Sequence, residues 1–254
     1  MDEKAWWYHL DLICVKDVRK VYRIDREKIV ALGRINLSVK SGEICCVLGS
    51  SGSGKSTLLN IMAGLEKPSR GTITVGGTNV TGYSEKQWAL FRQRNIGFIF
   101  QAYNLISTLT ALENVAMPLV FRGMGKNERL KRSAAMLKAV GLGSRMLHKP
   151  AQMSGGQQQR VGIARAFVSR PKIVFADEPT GNLDSKTGSG VMEIMTSMAK
   201  KYGETLVIVT HDLEMARYAD RIVTIHDGYI INDEINEKSA PAGENAESGK
   251  EIAI

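Results

Sequence analysis

Cysteine is scarce in this chain: Cys14, Cys45 and Cys46 are its only thiols, an odd set without metal-ligand spacing. Cys45 and Cys46 fall in an apolar stretch and are expected to pack as small hydrophobes. Long hydrophobic runs are also missing. The longest, such as Leu206-Val207-Ile208-Val209, have the length of a strand and are far too short to span a bilayer. No basic-then-apolar leader opens the chain, so cytosolic residence is expected. A net charge of +8 invites a nucleic-acid reading. The basic residues are scattered, however, from Arg19 and Lys20 through Arg34 to Arg129, Lys131 and Arg132, without an aromatic-interleaved basic module. No nucleic-acid partner is expected. From Asp233 onward large apolar side chains nearly vanish, so 233–254 reads as a disordered tail.

What is present is concentrated in a few stretches. Gly49-Ser50-Ser51-Gly52-Ser53-Gly54-Lys55-Ser56-Thr57 fits the phosphate-loop pattern G-x-x-x-x-G-K-[ST] in full. Its glycines allow a tight turn whose N–H groups converge on a polyphosphate. Lys55 is spaced to reach the β- and γ-phosphates and Ser56 to ligate Mg²⁺. Glu43 to Leu48 reads as the strand feeding the loop, and Thr57 to Ala63 as the helix leaving it. A nucleoside triphosphate site follows from that context.

Lys172 to Ala176 is an apolar run closed by Asp177-Glu178-Pro179. Acids at the carboxyl end of a parallel strand stand where open α/β sheets bind ligands. Asp177 is then the expected Mg²⁺ partner beside Ser56, and Glu178 the general base that polarises water. Ser154-Gly155-Gly156-Gln157 has the spacing of a capping box opening a helix. Two glycines in a first turn weaken the helix, so packing alone does not account for them; their bare N–H groups suit an anion. His211, after the strand Thr205 to Thr210, closes on the ligand edge and is expected to contact a γ-phosphate.

Short strands precede the phosphate loop at Leu12 to Val18, Val21 to Arg23, Ile29 to Leu32 and Ile35 to Val39, predicting a small antiparallel sheet. A Gly76-Gly77 hairpin joins Thr72 to Val75 with Thr78 to Val80. A helix around Glu85 to Arg92 leads to the strand Ile96 to Phe100. Helical periodicity takes over through Leu112 to Phe121, Arg129 to Val140 and Ser154 to Phe167. Strands return at Ile173, Thr205 and Arg221 in βαβ rhythm. Gly188 and Gly190 weaken the start of a helix expected near Val191 to Lys200. The expected fold is α/β: a parallel-sheet phosphate-loop core over 10–101 and 168–232 with an N-terminal antiparallel β subdomain, and an inserted helical subdomain over 102–167.

Together these motifs resemble the nucleotide-binding subunit of ATP-binding-cassette (ABC) transporters over about Leu12 to Ile231. Gly49 to Ser56 is similar to Walker A, Ser154 to Gln157 to the signature, and Ile173 to Asp177 to Walker B. Gln101 matches the Q-loop, Asp184 the D-loop, His211 the switch histidine and Tyr22 the adenine-stacking aromatic. The resemblance implies ATP as ligand, with the whole of Gly49 to Thr57, Tyr22, Gln101 and Ser154 to Gln157 in contact with it, and Ser56, Gln101 and Asp177 around Mg²⁺. It also implies catalytic roles for Lys55, Glu178 and His211. Asp177 to Asp184 and Thr110 to Val115 look like the lipoprotein-release and macrolide-export branch, which is similar to a cell-division ATPase. Met153 departs from the usual leucine before the signature, a swap that conserves volume.

By the same resemblance two copies pair on ATP, each signature capping the other's phosphate loop. A transmembrane permease on a separate chain is the implied partner, at the cytoplasmic face of the membrane. Gln101 to Ile106 with Leu119 to Phe121 are the apolar surface expected to dock it. Export or extraction of a peptide, lipoprotein or hydrophobic compound is one reading, and transmembrane signalling without transport the alternative. A chromosome-type ATPase would need a heptad insertion between Gln101 and Ser154, and a translation-factor type a second phosphate loop; neither is present.

Overall fold

The computed structural model describes residues 11–25 and 27–236, so Trp6-Trp7-Tyr8 and the tail beyond Asn236 lie outside the described residues. Two long antiparallel strands open the chain, β1 (Asp11–Ile24) and β2 (Glu27–Lys40), paired from Asp11 against Lys40 to Ile24 against Glu27. The four short strands expected here are thus fused into two. The register shifts between Val15 and Val18, where Asp17 sits at φ 51°, so a bulge absorbs the polar interruption without ending the strand.

Next come β3 (Ile44–Leu48), α1 (Lys55–Met62), β4 (Arg70–Val75) and β5 (Thr78–Asn79). Gly76 and Gly77 both take positive φ (55° and 76°), as a two-residue hairpin turn requires. The hairpin joins the first two strands in a sheet of order β2-β1-β4-β5, which is therefore built from chain on both sides of the phosphate loop. Gly64 (φ 66°) ends the run after α1, and a Cβ there would strike the Trp88 indole.

The chain continues through α2 (Glu85–Asn95), β6 (Ile96–Ile99), α3 (Ala111–Phe121), α4 (Lys126–Ala139) and α5 (Gly155–Phe167). It finishes with β7 (Ile173–Asp177), α6 (Ser185–Tyr202), β8 (Thr205–Thr210), α7 (Leu213–Ala216), β9 (Arg221–His226) and β10 (Tyr229–Ile235). Helix α6 begins before the expected Val191, because Asp184 caps it by accepting from the Thr187 N–H at 3.0 Å. Gly188 and Gly190 are carried inside it.

The second sheet has the order β10-β9-β3-β8-β7-β6, parallel except for β10. Its central strands are buried on both faces, and side-chain alternation divides the core in two. Ile44, Cys46, Val174, Ala176, Leu206 and Ile208 pack with α3 to α6. Cys45, Val47, Ile173, Phe175, Val207 and Val209 pack with α1 and the antiparallel sheet. The two adjacent cysteines thus serve opposite layers; burial pushes both thiols up, Cys46 to about 12.

The expected disorder from Asp233 is corrected by β10. Asp233 holds Arg221 in a two-pronged pair at 2.6 Å for each prong, and the Asn236 amide donates to the Arg217 and Ala219 carbonyls. Polar composition conceals this because the strand is fastened by its backbone and by charge. Among the described residues no helix is long and apolar enough to cross a membrane.

Candidate active site

Strand β3 delivers the chain into Gly49 to Gly54, and α1 begins directly at Lys55. Gly54, at φ 101°, caps α1 with no side-chain bond, and the first turn holds no acid. The helix N–H groups are therefore free for an anion. A Cβ on Gly49 would lie 2.3 Å from the Ile225 carbonyl oxygen, and one on Gly54 2.5 Å from that of Ala31. Ser53 is buried, and its hydroxyl has no hydrogen-bond partner. A close-packed loop with uncapped donors fits a polyphosphate.

Lys55 is only 5% exposed. Its ammonium donates to the Ser50 carbonyl at 2.8 Å and stands 3.9 Å from Glu178 Oε1. The other Glu178 oxygen is 2.8 Å from His211 Nδ1. Glu178 thus lies between the phosphate-loop lysine and the histidine, within reach of both. Beside them the Ser56 hydroxyl donates to Asp177 Oδ1 at 3.0 Å. Burial raises the Asp177 carboxyl above its ordinary value, with Glu178 adding to the rise and the Ser56 bond opposing it. A hydroxyl and a carboxylate that close form a hard-oxygen pair fit for Mg²⁺, whose charge would offset that burial.

Lys55, Ser56, Glu178 and His211 line one cleft of about 680 Å³ with Ser50 to Gly52, Gly54, Thr57, Gln101 and Ala31, while Asp177 stands behind Ser56 and is not part of the lining. Ala31 enters from β2 and is a lining residue that sequence reasoning missed; a half-buried alanine in a strand carries no signal. Gln101 is set by its neighbours: the Asn182 amide donates to its carbonyl at 3.0 Å, and a Cβ on Gly181 would lie 2.8 Å from its Nε2. Tyr22 is not part of the cleft lining. It is half-buried beside α1, its hydroxyl donating to Glu66 at 2.5 Å and lying 3.5 Å from the Thr57 hydroxyl.

The signature residues stand elsewhere. Ser154 caps α5, accepting from the Gln157 N–H at 3.3 Å, while the Gln157 side chain accepts from the Ser154 N–H at 3.1 Å. None of Ser154 to Gln157 lines the cleft of their own chain. The two glycines also lie in close packing. A Cβ on Gly155 would lie 2.7 Å from the Tyr103 hydroxyl, and one on Gly156 2.4 Å from Thr187 Cγ2.

Two further polar side chains organise the surroundings, Asn114 within the Thr110 to Val115 run and Arg165 outside any motif. Asn114 is buried and bonds the main chain of Ile106, Leu109 and Thr110, shaping the loop before α3. Arg165 on α5 donates to the carbonyls of Tyr103 and Asn104, both at positive φ.

The profile of the family described as ABC transporter matches residues 32–181. The chain belongs to the ABC transporter family. It is 49% identical, over 87% of its length and 98% of the other's, to an ABC transporter ATP-binding protein of Methanocaldococcus jannaschii, MJ1508. It is 45% identical to the macrolide export ATP-binding/permease protein MacB of Brucella melitensis, covering 87% of this chain and 34% of that one. In three dimensions it is similar to the dimeric post-hydrolysis structure of the ATP-binding cassette MJ0796 bound to ADP and Pi. There the TM-score is 0.82 at 43% identity, over 88% of this chain and 98% of that one. This ABC protein is an ATPase that uses ATP with Mg²⁺, and its relatives are consistent with the branch that includes MacB.

Proposed function

We propose that this ABC ATPase is the energy-supplying subunit of a membrane transporter, pairing on ATP and driving a permease carried on a separate chain. The observation that carries the reading is the convergence of Lys55, Glu178 and His211 on one cleft, with the signature end of α5 lying outside it. A half-site of that kind is completed by the signature of a second copy, which makes the interface reciprocal.

The residue roles in this reading are as follows. Lys55 exchanges the Ser50 carbonyl for the β- and γ-phosphate oxygens, a stronger charge-assisted bond. The loop from Gly49 to Thr57 cradles the phosphates with its N–H groups, and Tyr22 stacks on the base. Ser56, Asp177 and Gln101 would hold Mg²⁺, which would supply positive charge to offset that of the phosphates. Glu178 takes the proton from the attacking water, while His211 holds its carboxylate and meets the γ-phosphate. Ser154, Gly155, Gly156 and Gln157 present the positive N-terminal end of α5 to the nucleotide of the partner copy.

Docking to the permease is supported by a second cleft of about 670 Å³, walled by Leu90, Phe98, Phe100, Ile106, Met117 and Phe121. Phe121 is 66% exposed, Ile106 43% and Val120 40%, whereas Leu119 belongs to the core. The docking surface is therefore narrower than expected at Leu119 and extends onto α2. Export or extraction of a peptide, lipoprotein or hydrophobic compound is the transport class proposed, with the ATPase held at the cytoplasmic face through the permease. The proposed units are a core over 10–101 and 168–232, extended to Ile235 by the end of β10, and a helical subdomain over 102–167.

The test is reconstitution. The chain is purified with its bound membrane protein, placed in vesicles, and assayed for ATP-dependent movement of lipopeptide or hydrophobic dye. ATP hydrolysis without movement of either, while the complex signals to an extracellular enzyme, would replace transport by the regulatory reading.

A further inference from the structure

Gln159, on the inner side of α5, is wholly buried. Its Nε2 donates to the Pro179 carbonyl at 2.7 Å, and its Oε1 has no hydrogen-bond partner. An unpaired buried amide oxygen costs free energy that an apolar side chain of similar volume would not incur. Packing therefore does not account for the amide, and the donor must.

The carbonyl that receives it belongs to the residue after Glu178. Glu178 is held at φ 45°, a left-handed backbone that opposes the preference of a non-glycine residue. Two main-chain bonds hold the turn at Glu178 itself: its N–H donates to the Val209 carbonyl at 2.9 Å, and its carbonyl accepts from Gly181 at 3.0 Å. The next main-chain bonds of the turn, from Gly181 and Leu183, go to the Glu178 and Thr180 carbonyls, so the Pro179 carbonyl takes its donor from a side chain outside the turn. Gln159 supplies that donor.

We propose that Gln159 is a positioning residue for Glu178: by pinning the Pro179 carbonyl it fixes the left-handed turn that aims the carboxylate between Lys55 and His211. The proposal rests on the reading of Glu178 as general base. It gives α5 two duties. Its N-terminal end serves the partner's nucleotide, and its buried face, one turn further on, sets the base of its own chain.

The experiment compares Gln159→Leu, Gln159→Glu and Glu178→Gln with the wild type in the full chain. Hydrolysis is measured as kcat and KM across pH 6 to 9, with ATP affinity and thermal midpoint alongside. Gln159→Leu is expected to lower kcat at least tenfold, leave ATP affinity within twofold and melt no lower than wild type. Gln159→Glu can donate to Pro179 only while its acid holds a proton. Its kcat, taken as a ratio to wild type at each pH, should rise as pH falls and collapse as pH rises, whereas the ratio for Gln159→Leu stays low and flat. A purely structural glutamine gives no such divergence. Gln159→Leu within twofold of wild-type kcat, a kcat loss matched by equal losses of ATP affinity and thermal midpoint, or parallel pH ratios for the two variants would each overturn the proposal. Glu178→Gln separates the two readings. If it is inactive while Gln159→Leu is active, only the positioning role fails; if it hydrolyses at the wild-type rate, the general-base reading itself fails.

Discussion

Glu204 joins α6 to β8 and is 5% exposed, with no hydrogen-bond partner for either carboxylate oxygen. Burial pushes its carboxyl from the ordinary 4.5 up to about 8, and the nearby Arg170 charge opposes the rise without cancelling it. The direction of the pH effect follows from linkage. Below pH 4.5 the folded and unfolded chains both hold the proton, and the group costs nothing. As pH rises from there, the unfolded chain releases its proton while the folded chain keeps it, so unfolding gains ground until the folded value near 8 is passed. Each pH unit in that window removes about 1.4 kcal/mol. At pH 7 the loss on account of this one side chain is about 3 kcal/mol, a large share of a typical domain stability of roughly 5–15 kcal/mol. Glu204→Gln cannot ionise in either state. Its stability relative to wild type should therefore climb by about 3 kcal/mol between pH 5 and pH 8, on top of any constant offset from the unpaired amide. Urea unfolding of both proteins at several pH values measures the difference directly, and groups common to both drop out. A difference that does not change with pH would refute the burial argument, because it would mean that Glu204 ionises in the folded chain as readily as in the unfolded one.

Lys55→Ala removes the buried ammonium that reaches both Ser50 and Glu178, and should abolish most ATP affinity; unchanged affinity in a calorimetric titration contradicts the phosphate-loop assignment. Tyr22→Ala should weaken ATP by about 1–3 kcal/mol through lost stacking. Tyr22→Phe, which keeps the ring and gives up only the hydroxyl contacts to Glu66 and Thr57, should bind ATP nearly as wild type; unchanged affinity in Tyr22→Ala would assign Tyr22 to packing, and equal losses in both variants would assign the effect to the hydroxyl. Ser154→Arg puts bulk at the α5 cap and should leave ATP binding intact while preventing ATP-driven pairing, read by light scattering. Mixing Ser154→Arg with Lys55→Ala chains should restore some hydrolysis, since one composite site then pairs an intact loop with an intact signature; no recovery at any ratio speaks against a shared site.

Motifs that act through contiguous backbone are legible in the order of residues alone. The phosphate loop needs its glycines and Lys55 in consecutive positions, and the caps at Ser154 and Thr110 close within a few residues. The strand before Asp177 announces itself because a strand buried on both faces must be apolar throughout. Residue patterns mislead where an element depends on distant partners. The fusion of short strands into β1 and β2 depends on pairing that a bulge can carry past Asp17. Order at Asp233 depends on Arg221, and the close packing of Gly155 and Gly156 on Tyr103 and Thr187.

Which chemical groups the protein brings to ATP is a matter of sequence, because each motif is a local arrangement of donors, acceptors and turns that few other sequences satisfy. How those groups meet is a matter of tertiary packing. Glu178 stands between Lys55 and His211 because β7 and β8 are parallel neighbours whose carboxyl ends face the loop leaving β3. Gln159 reaches Pro179, and Glu204 loses its solvent, for the same reason: packing distant segments sets burial and hydrogen-bond partners, and these are properties of a place in the fold rather than of a residue in the chain.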